Sequence, residues 1–467
     1  MFRLGGMDKQ AIKNTHENII IGGGIVGAGI LRELTLRQEN TLLIEKGDFS
    51  SQTSQSSSKM LHGGIRYLEN FDFALVREAL KEKKAWTDLT PHLTKEEMFY
   101  IPVYKESKWP LFFVRIGLFI YDLLSFFKNP KRKVLNAKET LKALPNLNPK
   151  NLKGAGVYSD AVVEDSKLAL ECIYDSLGEW GSAINYSEVE KVEKTDGMWK
   201  VDIRSTLDDS TETFFAKNVI FATGPFTDQL LKKLNIEWQP KMILSKGSHI
   251  WLKREGLELA HPMVLQTKDN RVIFVIPQRD AILVGTTEKA LEPNTDIFNI
   301  QASEEEINYL IDAINQYFPT AGIDQDSILS TFAGVRPLVA EGNKARGKVS
   351  RQHKVFSPDE NMYVIVGGKY TTFRVMAEDV VKKMHQDQGR AFKRDLSLAP
   401  LKKRSRIGMY PKGDEITEEE IKNIILEELP KTSDDIIKRR LSMLYPDQLK
   451  LTKAQIEGLI KEVRNDN

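Results

Sequence analysis

Cysteine is almost absent. The 467-residue chain has one, Cys172, so no internal disulfide can form, and a reducing compartment is the natural setting. Cys172 stands in Ala169–Ile173, an apolar helical pattern, and reads as a buried structural thiol rather than a nucleophile. An excess of charge is missing too: 67 basic and 65 acidic side chains leave +2. Nothing global therefore argues for a nucleic-acid partner. No run of eighteen apolar residues is free of charge, which argues against a membrane-spanning helix. Residues 1–18 lack the apolar stretch of a secretory signal, and Met7 offers an alternative start. There is no internal repeat and no Asp-x-Asp-x-Asp-Gly calcium loop, and no metal site is expected. Length suggests two or three domains.

What is present is concentrated near the start. Ile19–Ile21 reads as a buried parallel strand running into Gly22-x-Gly24-x-x-Gly27. A helical pattern follows over Ile25–Arg37, then a second apolar strand, Thr41–Ile44, ending on Glu45. Strand, glycine turn, helix, strand and acid make the βαβ dinucleotide fingerprint in its required context. Gly22 makes the turn, Gly24 admits the pyrophosphate, and Gly27 lets helix and sheet close. The helix N-terminus offers free N–H groups and partial positive charge to phosphate, and Glu45 is placed for a ribose diol. The fingerprint alone does not separate NAD from FAD.

One stretch, Trp109–Phe127, is strongly apolar but is interrupted by Arg115 and Asp122 and flanked by Lys108, Lys128, Lys131, Arg132 and Lys133. Central charges are costly in lipid. Two readings stay open: a helix buried in the core, which is slightly favoured, or a helix lying in a membrane interface with its basic flanks on anionic lipid.

Further helices are expected over Phe71–Leu89, Asn136–Leu144 and Asp165–Trp180, and from Ser303, which opens a capping box with Glu306. A short strand is expected over Met98–Val103. Strands near Ala183–Val192 and Trp199–Arg204 lead to Asn218–Pro225, a strand and glycine turn containing Ala222 and Gly224. Residues 242–287 alternate as an antiparallel sheet. Met362–Val366, Gly367-Gly368 and a helix from about Thr371 repeat the strand–turn–helix design. After residue 391 the chain is charged and helical, over Thr417–Leu429, Ser433–Tyr445 and Thr452–Val463, with no visible chemistry. The expected division is a nucleotide domain from residues 1–82, 183–239 and 331–390, a substrate or cap region from 83–182 and 240–330, and a helical C-terminal domain from 391–467.

Several motifs carry a resemblance. Ser57-Ser-Lys59, His62-Gly-Gly-Ile-Arg-Tyr67, Lys246–Ile250, Ala333–Leu338 and Gly367–Arg374 occur in this order. Together with the fingerprint they resemble the FAD-dependent glycerol-3-phosphate dehydrogenase family over most of residues 18–380. The resemblance implies an α/β fold with a Rossmann-like FAD domain of the glucose/D-amino-acid oxidase type, interleaved with an antiparallel substrate domain. It implies oxidation of sn-glycerol 3-phosphate to dihydroxyacetone phosphate, with electrons passing through FAD to a quinone, in a cytoplasmic protein peripheral on the membrane. A homodimer is left open. The cofactor contacts expected are Gly22, Gly24, Gly27, Glu45, Lys46, Ser57, Ser58, Lys59, Ala222, Gly224, Gly334, Gly368, Lys369 and Thr371. The C-terminal part is short for the family, and no long insertion of the oxygen-using type lies between Tyr67 and Arg336, which leans toward a quinone.

The residue types suit such a substrate. A phosphate dianion needs several cationic groups, and Arg66, Arg336, Arg351 and Lys369 supply them, with Tyr67 a hydrogen-bond donor or packing group. A histidine suits the base for the hydroxyl proton. His62 is the first candidate and His249 the second. Two other classes remain: an oxidase of an amino acid or 2-hydroxy acid, and a flavoprotein-like binding module.

Overall fold

The computed structural model describes residues 14–278, 280–292, 294–339, 353–402, 415–443 and 449–465. An eight-stranded sheet has a parallel centre in the order Met362–Val366, Thr211–Phe221, Thr15–Ile21, Thr41–Ile44, Gly181–Ile184. Ile19, Ile20, Leu42, Leu43, Val219 and Ile220 are buried on both faces, which is why these strands read as unbroken apolar runs. The helices Ile25–Thr35, Asp165–Ser176 and Phe373–Asp387 share one core with one face of the sheet. The hairpin Ser187–Thr195/Met198–Ser205 pairs onto Thr211–Phe221 and helps close the other face. Gly22, Glu45, Ala222 and Gly367 each follow directly on the carboxyl end of a parallel strand. That crevice is where open α/β sheets bind ligands.

The second sheet has ten strands and is mostly antiparallel. Its longest members are Thr94–Tyr104, Leu152–Val163, Met242–Lys253 and Ile328–Val339. The two regions expected as separate cap pieces thus form one sheet, joined where Thr94–Tyr104 meets Met263–Gln266 in a parallel contact. The expected boundary after residue 330 falls inside Ile328–Val339, which pairs along Met242–Lys253. The strand Leu152–Val163 was not expected at all. Asp165–Ser176 ends earlier than expected, because Gly181 opens a strand instead of closing the helix. The capping box expected at Ser303/Glu306 forms, and Thr417 with Glu420 makes another. In the C-terminal unit, Glu418–Glu427 and Lys453–Asn465 are α-helices, whereas Asp435–Arg440 is a short π-helical segment. The helix expected over Ser433–Tyr445 is shorter: residues 441–443 are not helical, and 444–445 lie outside the described residues.

The slightly favoured core reading of Trp109–Phe127 is corrected. Leu111–Leu124 is a helix, but only Leu118, Tyr121 and Asp122 are buried. Phe112 is 67 % exposed, Phe126 63 % and Phe127 57 %. Phe113, Ile116, Phe119 and Leu123 are exposed as well. A helix apolar all round was expected to be enclosed; here one side rests on the second sheet and the other is bare. Among the described residues, no helix is long and apolar enough to cross a membrane.

Candidate active site

The strand Thr15–Ile21 delivers the chain into Gly22, whose φ of +111° suits glycine and whose Cβ would lie 2.7 Å from the Ala222 carbonyl oxygen. A Cβ on Gly27 would overlap the Gly22 carbonyl oxygen. The turn and the close helix–sheet contact therefore both depend on missing side chains. The Ile25 N–H at the helix start donates to Ser54 Oγ at 2.9 Å. Glu45 is held by its own backbone neighbours, with Oε2 accepting from Gly23 N–H (2.7 Å) and Oε1 from Gly47 N–H (2.9 Å). Burial raises its carboxyl pKa, and those two N–H groups oppose the rise.

A cavity of about 1190 Å³ opens from this turn between the two sheets. Of the candidates taken from the sequence, all but Gly27, Lys59 and Arg351 line it. Gly27 acts through packing. Arg351 lies outside the described residues. Lys59 departs from expectation: Nζ donates to Asp165 Oδ1 at 2.6 Å and to the Gln55 carbonyl, and Ser57 Oγ donates to the same carboxylate at 2.7 Å. Lys59 pins the serine-rich loop from behind instead of facing into the cavity. Lys46 lines the rim but pairs with Glu188 at 3.2 Å. A Cβ on Gly334 would come within 2.8 Å of Ser56 Cβ, so this glycine admits the serine loop against the strand. Gly224 and Gly368 both have positive φ. Thr371 Oγ1 accepts the His62 backbone N–H at 3.2 Å.

Two cations, Arg336 and Lys369, line the cavity. Arg336 lies across the neighbouring strand, where a side chain on Gly247 would overlap its guanidinium. It donates to Thr286 Oγ1 at 2.7 Å and to the Thr287 carbonyl at 3.3 Å. Lys369 Nζ sits 3.8 Å over the Tyr67 ring, within cation–π range. Arg66 is exposed at the mouth, 5.6 Å from the same ring. His62 precedes the 3-10 helix Ile65–Asn70, which carries Arg66, and is parted from it by Gly63 and Gly64. Its ring is 6.2 Å from Phe274.

His249 is buried and stacks on Phe332 at 4.7 Å. Nε2 is 3.0 Å from Ser58 Oγ. Nδ1 has no hydrogen-bond partner among the described residues, and such a buried orphan needs an explanation. Burial, then the Arg336 and Lys59 charges, hold the imidazole pKa well below its usual value, so the ring is neutral near pH 7.

Sequence reasoning missed the groups behind His62. Gly63 N–H donates to Tyr121 Oη (3.0 Å) and Asp160 Oδ1 (3.2 Å), and Tyr121 donates to Asp160 at 2.7 Å. Asp160 is enclosed, and burial lifts its carboxyl to about 6 against the pull of Lys83. The available signal was a carboxylate inside the apolar run Ala155–Val163. Thr286 and Thr287, which hold Arg336, were also missed; they directly follow the strand Ala281–Gly285.

The arrangement fits a flavin dinucleotide: a glycine cradle at a helix N-terminus for pyrophosphate, Glu45 for a ribose, and a long cavity ending at cations and histidines. The FAD dependent oxidoreductase family (DAO) matches residues 18–381. The aerobic glycerol-3-phosphate dehydrogenase of Staphylococcus aureus (strain MRSA252) is 33% identical over 403 residues, covering 84% of this chain and 71% of that protein. Among solved structures, glycerol-3-phosphate dehydrogenase from Bacillus halodurans, complexed with FAD, is similar with a TM-score of 0.73 over 98% of this chain and 95% of that one, at 23% identity. L-alpha-glycerophosphate oxidase from Mycoplasma pneumoniae, with FAD bound, gives 0.60 over 82% and 98% at 18% identity. Glycine oxidase from Geobacillus kaustophilus gives 0.56 over 84% and 99% at 17% identity. At those identities the solved structures speak for the fold. With the family match and the 33% relative, FAD is the cofactor, and the chain belongs to the FAD-dependent glycerol-3-phosphate dehydrogenase family.

Proposed function

We propose that the protein oxidises sn-glycerol 3-phosphate at C2 to dihydroxyacetone phosphate, and that the electrons leave for a quinone in a membrane against whose cytoplasmic face the protein lies. The observation that carries the substrate is the pairing of Arg336 and Lys369 with His62 and His249 in one cavity beside the cradle. The 33% relative, named for glycerol 3-phosphate, supports it.

Each residue's part follows from its surroundings. Arg336 is pre-set by Thr286 and Thr287, so it presents a fixed fork to a phosphate dianion at little entropic cost. Lys369, in the same cavity, adds a second charge. His62 is half-buried and borders the mouth, so a proton it takes from the C2 hydroxyl has a route to solvent. His249 is enclosed and neutral, suited to orienting the substrate by a hydrogen bond at Nδ1. Bound FAD supplies the acceptor for the C2 hydride.

The acceptor reading rests on the exposed aromatic helix. Phe113, Val114 and Ile116 of that helix line the same cavity as the cradle, so an apolar molecule arriving from lipid has a wall to follow. The exposed Lys108, Arg115, Lys128, Lys131 and Lys133 around it suit anionic headgroups. The test is anaerobic: glycerol 3-phosphate should bleach the yellow protein, and the reduced protein should then be reoxidised by a soluble quinone faster than by oxygen. Failure to bleach, or equal bleaching by glycine or lactate, refutes the substrate. Stoichiometric hydrogen peroxide with no quinone reduction refutes the acceptor.

A further inference from the structure

The serine-rich loop after Glu45 has two sides. Lys46, Ser50, Ser51 and Ser54 line the FAD cavity. Asp48 and Gln55 do not; they turn toward the C-terminal unit. Asp48 is buried, and its carboxylate accepts from Arg439 Nε (2.5 Å), Arg440 Nη2 (3.0 Å) and Asn185 Nδ2 (3.0 Å), with Arg440 Nη1 a fourth donor. Arg439 also reaches Gln55 Oε1 at 3.3 Å and Asp435 Oδ1 at 2.5 Å. Arg440 donates to the Glu428 carbonyl at 2.8 Å.

Each guanidinium nitrogen and both Asp48 oxygens have a partner, and both arginines are buried. A buried ion cluster of this completeness is rigid, and breaking one partner strands a charge. Its location matters more than its strength. The C-terminal unit has a core of its own, built from residues 416–463 and distinct from that of the nucleotide domain. Asp48 is therefore a principal tie between them. It is also next to Gly47, whose N–H holds Glu45, and Glu45 in turn holds Gly23 N–H. Ser50 N–H, two residues on, donates to the Gly23 carbonyl at 2.9 Å. Asp48 is thus anchored to the arginines on one side and joined to the cradle on the other. The two arginines are consecutive and converge on one carboxylate from a π-helical segment, a local irregularity that often marks a functional position.

We propose that Asp48, Arg439 and Arg440 form a clasp through which docking of the C-terminal helical unit sets the affinity of the adenosine-diphosphate side of the FAD site. The three are positioning residues, acting through the loop backbone and touching no cofactor atom. The inference rests on the FAD site itself and is independent of the substrate and of the electron acceptor.

Thermodynamic reciprocity gives a test on the wild-type protein. If docking strengthens FAD binding, FAD must strengthen docking. Amide exchange in residues 428–441, measured on holoenzyme and on flavin-stripped protein, should be at least tenfold slower with FAD. Identical exchange in the two forms overturns the proposal. Variants supply a second arm. Arg440→Met combined with Asp48→Asn removes both charges of the pair and leaves Arg439 compensated by Asp435. The FAD dissociation constant, from flavin fluorescence, should rise at least tenfold. KM for glycerol 3-phosphate and the flavin absorption band shape, at saturating FAD, should stay unchanged. Arg440→Lys should fall between. An unchanged dissociation constant in the folded double variant overturns the clasp, and if that variant does not fold, the exchange comparison decides alone.

Discussion

Replacing Arg336 with methionine removes a guanidinium held by Thr286 Oγ1 at 2.7 Å and by the Thr287 carbonyl at 3.3 Å. Both partners are on the same short segment, so the fork is aimed before any substrate arrives. A hydrogen bond to a charged group contributes about 1.5–3 kcal/mol, which is roughly a ten- to hundredfold change in an equilibrium or specificity constant. Methionine matches the length of the aliphatic stem and fills the groove over Gly247, so flavin retention should stay near wild type. Dye-coupled steady-state rates with glycerol 3-phosphate should show kcat/KM falling by that factor. The same variant on plain glycerol, which has no phosphate to lose, should show a much smaller change. Arg336→Lys keeps a charge but not the planar fork and should land between the two. An equal loss on glycerol and glycerol 3-phosphate would refute the phosphate role, and loss of flavin would move Arg336 from substrate to cofactor binding.

Gly27→Ala places a Cβ against the Gly22 carbonyl oxygen and should give colourless or unfolded protein, read by the 450 nm region of the visible spectrum; full flavin content would contradict the placement. Asp160 has a folded pKa of about 6 against an ordinary 3.8. The unfolded chain therefore binds fewer protons between those values, and the group's contribution to stability is lost as pH rises through that window. Asp160→Asn removes a pH-dependent component of at most about 3 kcal/mol, so urea melts should favour the variant more at pH 7 than at pH 4, and a pH-independent difference would refute the burial argument. Phe126 and Phe127 are exposed and both have positive φ, a backbone that asparagine tolerates. Changing both to asparagine should leave folding and dye-linked activity intact, while flotation with anionic vesicles weakens by about 1.5–3 kcal/mol per ring; unchanged flotation would remove this helix as the anchor.

The βαβ start was legible because each of its signals is local: the apolar run, the spaced glycines and the acid all fall within thirty residues. The capping box at Ser303 was legible for the same reason. The strand Leu152–Val163 was not. It is buried along almost its whole length, so it lacks the alternation that marks a half-exposed strand, and Gly154, Gly156 and Asp160 break its apolar run. Lys59 misled for a different reason. Its neighbours Ser57 and Ser58 do line the cavity, but Lys59 itself has φ +53°, and that backbone turn sends the ammonium to Asp165, 106 residues away in sequence. Charge alone does not say which way a loop residue points. Asp48 raised no expectation, since its partners lie about 390 residues on.

The aromatic helix marks a limit of another kind. Its sequence is apolar on every side, and periodicity distinguishes an inner face from an outer one only when the two differ in polarity. Residues 109–127 fit a core helix and an interfacial helix equally well on that measure. What separates the two is the supply of surface to bury against. The second sheet offers enough for Leu118 and Tyr121, and Tyr121 uses its hydroxyl on Asp160 and Gly63. Phe112, Phe119, Leu123, Phe126 and Phe127 stay 46–67 % exposed in the described chain. An exposed apolar patch with basic residues at its rim is costly in water unless something covers it. The same helix forms a wall of the cavity that begins at the flavin cradle. On the proposed reading, a lipid surface would cover the outer rings and at the same time put a lipid-soluble electron acceptor beside that wall.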